Sequence, residues 1–393
     1  MKGMTIIAEI GTAHNGSLEK AYELIDAACQ AGADMIKFQW VYADEILHPE
    51  TGFVTLPGGK IRLYDRFKSL EVSPDFFAKC LERTHKDNML FACSPFGLRS
   101  LNELVQIHPD AIKIASPEVN HIPLLKEIAR QYGTIPIILS SGVSKLGDIE
   151  KAIDILETDR KEISQFVHVH GNVQLAPLTL LHCITFYPAP ETEYNVRCVD
   201  TLHRVFGIPS GISDHSLDPV LIPVLSTAMG GTMIEKHITL SRKTDGLDDP
   251  VALEPEQFAQ MVHAVHQTQA VIERYTKDDL ASREPVHSAL EEIVRQMSSE
   301  YGSETVAKAL GNGIKRLAKI EQANYGRTNR SLHFMHDMKK GQKIEMQDIA
   351  ILRTEKVLTP GIAPDYLETV TGAFLQQDVH SGEGVLWEHL LQH

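Results

Sequence analysis

The sequence predicts an α/β protein in which a closed (β/α)₈ barrel is followed by a small β-rich domain. Short apolar stretches alternate with helical patterns, and eight of these stretches fall within about 240 residues, the length typical of such barrels. No GxGxxG turn follows the first stretch, so an open doubly wound sheet, the structural alternative, is disfavoured. We expect the barrel over residues 1–272, a helical linker over 273–328 and the β-rich domain over 329–393.

The eight strands are predicted from runs of apolar and β-branched residues. They are expected at Met4–Gly11, Ala33–Trp40, Met89–Ser94, Ala111–Ser116, Ile135–Ser141, Leu178–Cys183, a run ending in Gly211–His215, and Thr232–Leu240. Helices are expected in most gaps, at Leu18–Ala31, Leu98–Gln106, Ile122–Tyr132, Gly147–Leu156, Val199–Phe206 and Val220–Met229, with another beginning at Ser73-Pro74. The polar excursion Tyr42–Leu70 is expected to be too irregular to contribute to a core.

The sequence pattern of the C-terminal third changes at two points. A helix is predicted from Glu254 to about Tyr275, and Thr276–Gln322 has the composition of a polar, helix-prone linker. From Arg330 the strand-like pieces SLHFMH, DIAILRT and GVLWEHL are separated by glycine- and proline-containing turns. This pattern predicts a small β-rich domain.

Composition limits the classes of partner and compartment. The formal net charge of −14 argues against a nucleic acid or an anionic membrane as partner. Five scattered cysteines without a CxxC spacing are typical of a reducing cytosol, and no signal peptide or transmembrane-length apolar run is visible. We therefore expect a soluble cytoplasmic protein.

Polar and charged residues occupy the predicted carboxyl ends of the strands, where barrel enzymes carry their chemistry. They are Glu9, Lys37, Gln39, Ser94, Lys113, Ser116, Glu118, Ser140, Thr185, Tyr187 and Ser213. Converging hydroxyls and ammonium groups suit a bound phosphate, because buried lysines need anions. Mutual ion pairs such as Glu9–Lys37 or Glu235–Lys236 are the structural alternative, and a Schiff-base lysine of the aldolase type also remains open.

Two histidines suggest a metal site. The stretch from Gly211 to Leu240 is predicted as strand, helix, strand, and a unit this short implies a parallel pair with a right-handed connection. His215 and His237 then lie on neighbouring strand tips, and neutral imidazoles so placed suit a divalent ion. The alternative is that two among 19 histidines fall there by accident.

Several motifs occur in an order that resembles the sialic acid (N-acetylneuraminate) synthase family. They are AEIG and HNGS, IKFQ, Ser-Pro-Phe at 94–96, IKIAS, ILSSG, LLHC with YPAP, SDHS, EKHITL and LEPEQF, between about residues 5 and 262. The tail, RSLHFMHDMKKGQKIEMQDIAILR, resembles the antifreeze-like (SAF) domain that follows the barrel in that family. The resemblance implies a transferase that condenses phosphoenolpyruvate with an N-acetylmannosamine-type sugar, giving a nonulosonic acid for a surface glycan.

The resemblance also implies a role for each site residue. His215 and His237 match the pair that holds manganese or magnesium, and Glu118 matches the candidate proton-transfer carboxylate. The phosphoenolpyruvate positions are matched by Ser94, Lys113, Ser116, Ser140, Thr185 and Ser213. The catalytic and sugar-site positions are matched by Glu9, Lys37, Gln39, Tyr187, Asp248 and, from the tail, Arg353. A domain-swapped homodimer is implied, because in the family the tail domain covers the partner subunit's barrel.

Departures from the family pattern lie mostly on the sugar side. Ala13 stands where the family usually has an asparagine, and Thr185 stands where the family often has another asparagine. Asp249 replaces a histidine, and Thr354 replaces the proline after Arg353. They leave the identity of the hexosamine open. The alternatives are a phosphoenolpyruvate condensation of the octulosonate or heptulosonate phosphate synthase type, which needs a second phosphate site, and a non-catalytic sugar-binding protein.

Overall fold

Eight parallel strands close into a barrel, as predicted. The computed structural model describes residues 4–56, 59–158, 167–168, 174–244, 246–275, 286–355 and 357–391. The barrel strands are β1 (Thr5–Gly11), β2 (Met35–Trp40), β5 (Leu90–Pro95), β6 (Ala111–Ile114), β7 (Ile137–Ser140), β10 (Leu178–Cys183), β11 (Ser210–Asp214) and β12 (Met233–His237). β1 pairs with both β12 and β2, which completes the closure. Between β7 and β10 along the chain lies a short antiparallel pair, β8 (Val167–His168) and β9 (Gln174–Leu175).

The alternation of side chains along each strand places the polar site residues above an apolar layer. Ile7, Met35, Ile138 and Met233 are buried together inside the barrel. Two residues further along the same strands come Glu9, Lys37, Ser140 and Glu235. Since side chains two positions apart point to the same side of a strand, each polar group lies one step nearer the carboxyl end than its apolar neighbour. The apolar layer thus lies directly below the polar groups.

Helices cover the outside of the barrel and bury the other face of each strand. They are α1 (Leu18–Gln30), α4 (Pro74–Lys86), α5 (Leu98–Gln106), α6 (Ile122–Tyr132), α7 (Leu146–Thr158), α8 (Cys198–Phe206), α9 (Leu221–Ala228) and α10 (Pro255–Tyr275). Apart from their polar carboxyl ends, the strands are therefore apolar on both faces, which explains their nearly continuous hydrophobic runs. No helix among the described residues is both long and apolar enough to span a membrane.

The excursion after β2 is more ordered than expected. It contains α2 (Ala43–Ile46), the hairpin β3 (Phe53–Leu56) and β4 (Gly59–Arg62), and α3 (Leu63–Lys68). Ile46, Leu47 and Leu63 are buried in a small apolar cluster with Phe96, so the expectation of a coreless loop is wrong. The cluster forms because the excursion packs beneath the C-terminal domain, where Leu47 bridges to Arg353.

The C-terminal part begins with two helices, α11 (His287–Tyr301) and α12 (Ser303–Leu310). The chain then follows the barrel mouth over residues 311–329 with a 3₁₀ turn at Lys319–Glu321. The β-rich domain contains the antiparallel pair β13 (Arg330–Phe334) and β14 (Ile349–Arg353) and a short helix, α13 (Leu367–Val370). The prediction of a strand over GVLWEHL is wrong, since Trp387–His389 is a 3₁₀ turn.

Candidate active site

A cavity of about 470 Å³ opens at the carboxyl ends of the barrel strands. All but two of the predicted site residues line it: Glu9, Lys37, Gln39, Lys113, Ser116, Ser140, Thr185, Tyr187, Ser213, His215, His237, Asp248 and Arg353. The exceptions, Ser94 and Glu118, lie immediately beside the cavity and are completely buried. The strand ends therefore converge on one place, as the barrel prediction requires.

Four buried charges form the floor of the cavity. Lys37 Nζ lies 2.7 Å from Glu9 Oε2 and 3.7 Å from Glu235 Oε2, and Lys113 Nζ lies 3.6 Å from the same Glu235 oxygen. Ser213 Oγ donates to the other Glu235 oxygen at 2.8 Å. The two lysines and two glutamates thus form one buried ion-pair network.

The two carboxyl groups on this floor differ in acidity. Burial is the largest influence on both, and it raises the pKa of Glu9. Burial alone would also raise the pKa of Glu235, but the ammonium groups of Lys113 and Lys37 lower it to about 2. Neighbouring groups whose pKa values are pushed apart can take different roles in acid–base chemistry. Glu235 remains ionised, whereas Glu9 is the carboxyl that more readily carries a proton.

Hydroxyl groups surround one side of the floor. Lys113 Nζ donates to Ser140 Oγ at 2.7 Å, and Ser116 Oγ accepts the backbone N–H of Gly142 at 2.9 Å. Ser94 Oγ is buried and makes no hydrogen bond to any described residue. Burial also lowers the pKa of Lys113, as expected for an ammonium group with little solvent. Buried hydrogen-bond donors of this kind can bind an anion. We call Lys113, Ser116, Ser140 and Thr185 the donor cluster.

The opposite side of the cavity holds the two histidines and an aromatic ring. The His215 and His237 ring centroids are 5.5 Å apart, and the Tyr187 ring stacks on His215 at 4.2 Å. His215 Nδ1–H donates to the Ile184 carbonyl at 2.8 Å, which leaves Nε2 directed at the Tyr187 hydroxyl, 3.2 Å away. Burial lowers the pKa of His237 to about 4, so its imidazole is neutral at physiological pH.

Both histidines have the donor type that suits a divalent ion, and the Nδ1 contact of His215 leaves its Nε2 for the ion. A backbone carbonyl that holds Nδ1–H of a histidine is the usual way to present Nε2 to a metal. Burial alone would lower the pKa of His215, but Cys183 and the Ile184 carbonyl raise it to about 9, so ion binding there releases a proton. Within the described part of the chain no three His, Cys, Asp or Glu side chains form a ligand group, so two protein ligands would be completed by water or substrate.

The β-rich domain contributes to the cavity through an ion-pair cluster. Arg353 Nη2 lies 2.7 Å from Glu118 Oε1, and Arg330 Nε lies 2.5 Å from Glu118 Oε2. Burial alone would raise the pKa of Glu118, but the two guanidinium groups hold it below its usual value. Both oxygens of Glu118 face arginines, and the residue does not line the cavity. Its role in proton transfer stays a prediction, and its carboxylate forms an ion-pair contact between the barrel and the β-rich domain.

Two important residues were not among the predicted site residues. Glu235 lies two positions before His237 on β12, so strand alternation was the signal that it faces the cavity. The suggested Glu235–Lys236 pair does not form, because Lys236 points to the other face and pairs with Asp214 at 2.6 Å. Arg330 belongs to the RSL motif, but nothing in the neighbouring sequence indicates that it contacts Glu118.

Comparisons with known proteins agree with this architecture. The NeuB family profile matches residues 24–277 and the SAF domain profile matches residues 329–391. The chain is 30% identical over 347 residues to an N,N'-diacetyllegionaminic acid synthase of Campylobacter jejuni, covering 87% of this chain and 88% of that protein. The crystal structure of Bacillus subtilis spore coat polysaccharide biosynthesis protein SpsE matches with a TM-score of 0.77 and 27% identity, over 100% of this chain and 96% of the other. The structure of a sialic acid synthetase from Leptospira borgpetersenii in complex with citrate matches with a TM-score of 0.59 and 31% identity. The match covers 76% of this chain and 93% of the other.

Proposed function

We propose, since this chain belongs to the NeuB family and ends in a SAF domain, that it condenses phosphoenolpyruvate with an acylated hexosamine to form a nonulosonic acid and phosphate. The observation that carries the proposal is the buried Lys113–Ser140 pair, which shares one cavity with His215 and His237. A phosphate ester and an aldehyde sugar need these two kinds of group side by side. A sugar-binding protein without catalysis would need neither.

The phosphate of phosphoenolpyruvate is assigned to the donor cluster. Lys113 and the three hydroxyls supply charge-assisted and neutral hydrogen bonds to its oxygens, and Ser94 lies beside them with an unused hydroxyl. Because these groups are already buried and Lys113 is already bonded to Ser140, little reorganisation accompanies substrate binding. When phosphoenolpyruvate binds, its phosphate can replace Glu235 as the main anion next to Lys113.

The sugar is assigned to the side formed by Tyr187, Asp248 and Arg353, with Gln39 next to Glu9. Arg353 approaches from the SAF domain, and its guanidinium group can donate to the acyl oxygen. His215 and His237 would hold manganese or magnesium, which when bound supplies Lewis acidity toward the sugar aldehyde.

The chemistry joins C3 of phosphoenolpyruvate to the aldehyde carbon. Positive charge then develops at C2, water adds there, and the resulting tetrahedral carbon expels phosphate by cleavage of its C–O bond. Lys37 and the ionised Glu235 stabilise these charges from the cavity floor. Glu9 is the carboxyl we assign to proton transfer, because it lines the cavity and burial raises its pKa.

We further propose a cytoplasmic homodimer with exchanged SAF domains. In the single chain described, Arg330 and Arg353 meet Glu118 of the same chain. The same contacts would be made equally well by a second copy, since the arginines and the carboxylate belong to different domains. Light scattering in solution, together with crosslinking between the two domains, distinguishes an exchanged dimer from a closed single chain.

The test is turnover by the purified protein. Phosphoenolpyruvate and N-acetylmannosamine are supplied with manganese or with EDTA, and phosphate release and the mass of the keto acid are measured. Metal-dependent release is expected, with N-acetylmannosamine or with another hexosamine such as a diacetamido sugar. Lys113→Met should abolish release, whereas Lys319→Met, on the exposed side of the linker, should leave it unchanged. Absence of turnover with every aldehyde sugar despite bound metal would contradict the proposal.

A further inference from the structure

The loop that follows β7 is packed directly against the donor cluster. A Cβ atom added to Gly142 would lie 2.0 Å from Thr185 Oγ1 and 2.9 Å from Ser116 Oγ. The backbone of this loop therefore fills the space between two hydroxyls that are assigned to the phosphate. Any shift of the loop changes the distance between these hydroxyls.

The loop holds a strained residue at this point. Val143 has a φ of +41°, in the left-handed region, and its side chain is completely buried. A β-branched residue avoids this conformation, which persists only where surrounding contacts impose it. Something outside the loop must therefore stabilise Val143 in this geometry.

The contacts that do so come from the segment between the barrel and the SAF domain. Glu321 Oε1 accepts the backbone N–H of Val143 at 2.8 Å and that of Thr185 at 2.7 Å. Asn329 Nδ2 donates to the Val143 carbonyl at 3.1 Å, and Lys315 Nζ donates to the Ser141 carbonyl at 2.8 Å. Both polar groups of Val143 are thus bonded to a segment about 180 residues away along the chain.

The position of Glu321 is unusual for a residue with only a structural role. Its side chain is completely buried, and one oxygen joins the loop after β7, the strand that ends at Ser140, to the loop after β10, which carries Thr185. The other oxygen accepts the N–H of Ala318 at 3.2 Å, which holds the linker turn in place. A carboxylate that accepts several N–H groups makes strong, short bonds, and it leaves both donors unpaired when removed.

We infer that Glu321 is a positioning residue for the phosphate site, acting through the backbone amides of Val143 and Thr185. The inference rests on the proposed function, since it assigns the donor cluster to the phosphate of phosphoenolpyruvate. The linker is then part of the active site, and the path of the chain toward the SAF domain sets the geometry of a site on the barrel. Phosphoenolpyruvate affinity should depend on Glu321 although the residue never touches the substrate.

The experiment compares Glu321→Ala, Glu321→Gln and Asn329→Ala with Gln322→Ala, an exposed neighbour on the same turn. Phosphoenolpyruvate binding is measured by calorimetry without sugar, and the KM for each substrate is measured by phosphate release. Losing two charge-assisted bonds should weaken phosphoenolpyruvate binding by about tenfold or more in Glu321→Ala, with a smaller effect in Asn329→Ala. Glu321→Gln keeps an acceptor oxygen and should recover most of the affinity. The KM for the sugar and the behaviour of Gln322→Ala should stay near wild type.

The outcomes separate the inference from the proposed function. If the wild type binds phosphoenolpyruvate and Glu321→Ala binds it equally tightly while melting at a lower temperature, Glu321 is only structural and the inference is wrong. If Glu321→Ala does not fold, Glu321→Gln and Asn329→Ala are used in its place. Wild-type affinity for phosphoenolpyruvate in both of them would show that the inference is wrong. If the wild type neither binds nor consumes phosphoenolpyruvate, the proposed function fails and the inference fails with it.

Discussion

Replacement of Arg330 by methionine tests how the SAF domain is held against the barrel. Arg330 is 2% exposed, and besides Glu118 its guanidinium group donates to the carbonyls of Phe96 at 2.8 Å and Ile351 at 3.2 Å. Methionine has a similar length and no charge. The substitution therefore removes the ionic contact while it preserves much of the packing volume.

The expected loss follows from what remains after the substitution. Glu118 would stay completely buried with Arg353 as its one remaining arginine, and the carbonyl acceptors would lose their donor. Breaking a buried ion pair by removing one partner costs about 3–5 kcal/mol, because the other charge is left uncompensated. This is a large part of the roughly 5–15 kcal/mol that stabilises a typical folded protein. We expect the SAF domain to detach before the barrel unfolds.

Each folded domain contains one of the two tryptophans, which makes the assay direct. Trp40 is buried in the barrel and Trp387 is 40% exposed in the SAF domain. Urea unfolding is followed by fluorescence in the Trp40→Phe and Trp387→Phe backgrounds, so that each domain is observed separately. Arg330→Met should separate the two transitions, which should coincide in the parent proteins.

A double substitution provides the internal check. Glu118→Gln with Arg330→Met removes both charges of the pair, so the combined loss should be smaller than the sum of the single losses by about 0.5–3 kcal/mol. Lys339→Met, which breaks an exposed pair with Asp378, is the matched control and should leave both transitions unchanged. Coincident transitions and additive losses in the Arg330 variants would refute the argument that this ion pair holds the domains together.

Three further predictions follow from the site and the core. Gly142→Ala should abolish phosphoenolpyruvate binding, measured by calorimetry, because the new methyl group would overlap Thr185 Oγ1; normal affinity would contradict the placement of this loop. His237→Ala should eliminate saturable manganese binding, whereas the exposed His380→Ala should not; equal binding by both would place the metal elsewhere. Stability should fall as the pH drops below about 6.5, the value for an unfolded histidine, because burial lowers the pKa of His182 to about 3. Between these values the unfolded chain binds a proton that the folded chain does not, at about 1.4 kcal/mol per pH unit for each such histidine. Denaturant unfolding at pH 7.5 and 5.5 measures this, and equal stability at both would show that the histidine is not held neutral.

Local patterns in the sequence were sufficient for the barrel and for most of the cavity lining. Apolar runs of strand length recur eight times, and the side chains alternate, so Lys37 and Gln39 could be placed on one face of one strand before any contact was known. Barrel geometry then brings the carboxyl ends of all strands together. The prediction failed where local pattern is weak, as in the GVLWEHL stretch and the excursion Tyr42–Leu70.

By itself the sequence determined which side chains of a strand share a face and can point into the barrel mouth, because that depends on a two-residue period along each strand. Only the tertiary structure decided which partner each of them meets. Glu235 meets Lys37 and Lys113 from other strands and not the adjacent Lys236, and Glu118 meets an arginine 212 residues away. Such pairings depend on how the sheet closes and where the second domain docks, and neither leaves a periodic signal in the chain. For this reason only the structure shows that Glu118 contacts two arginines of the second domain and that Glu235 lines the cavity.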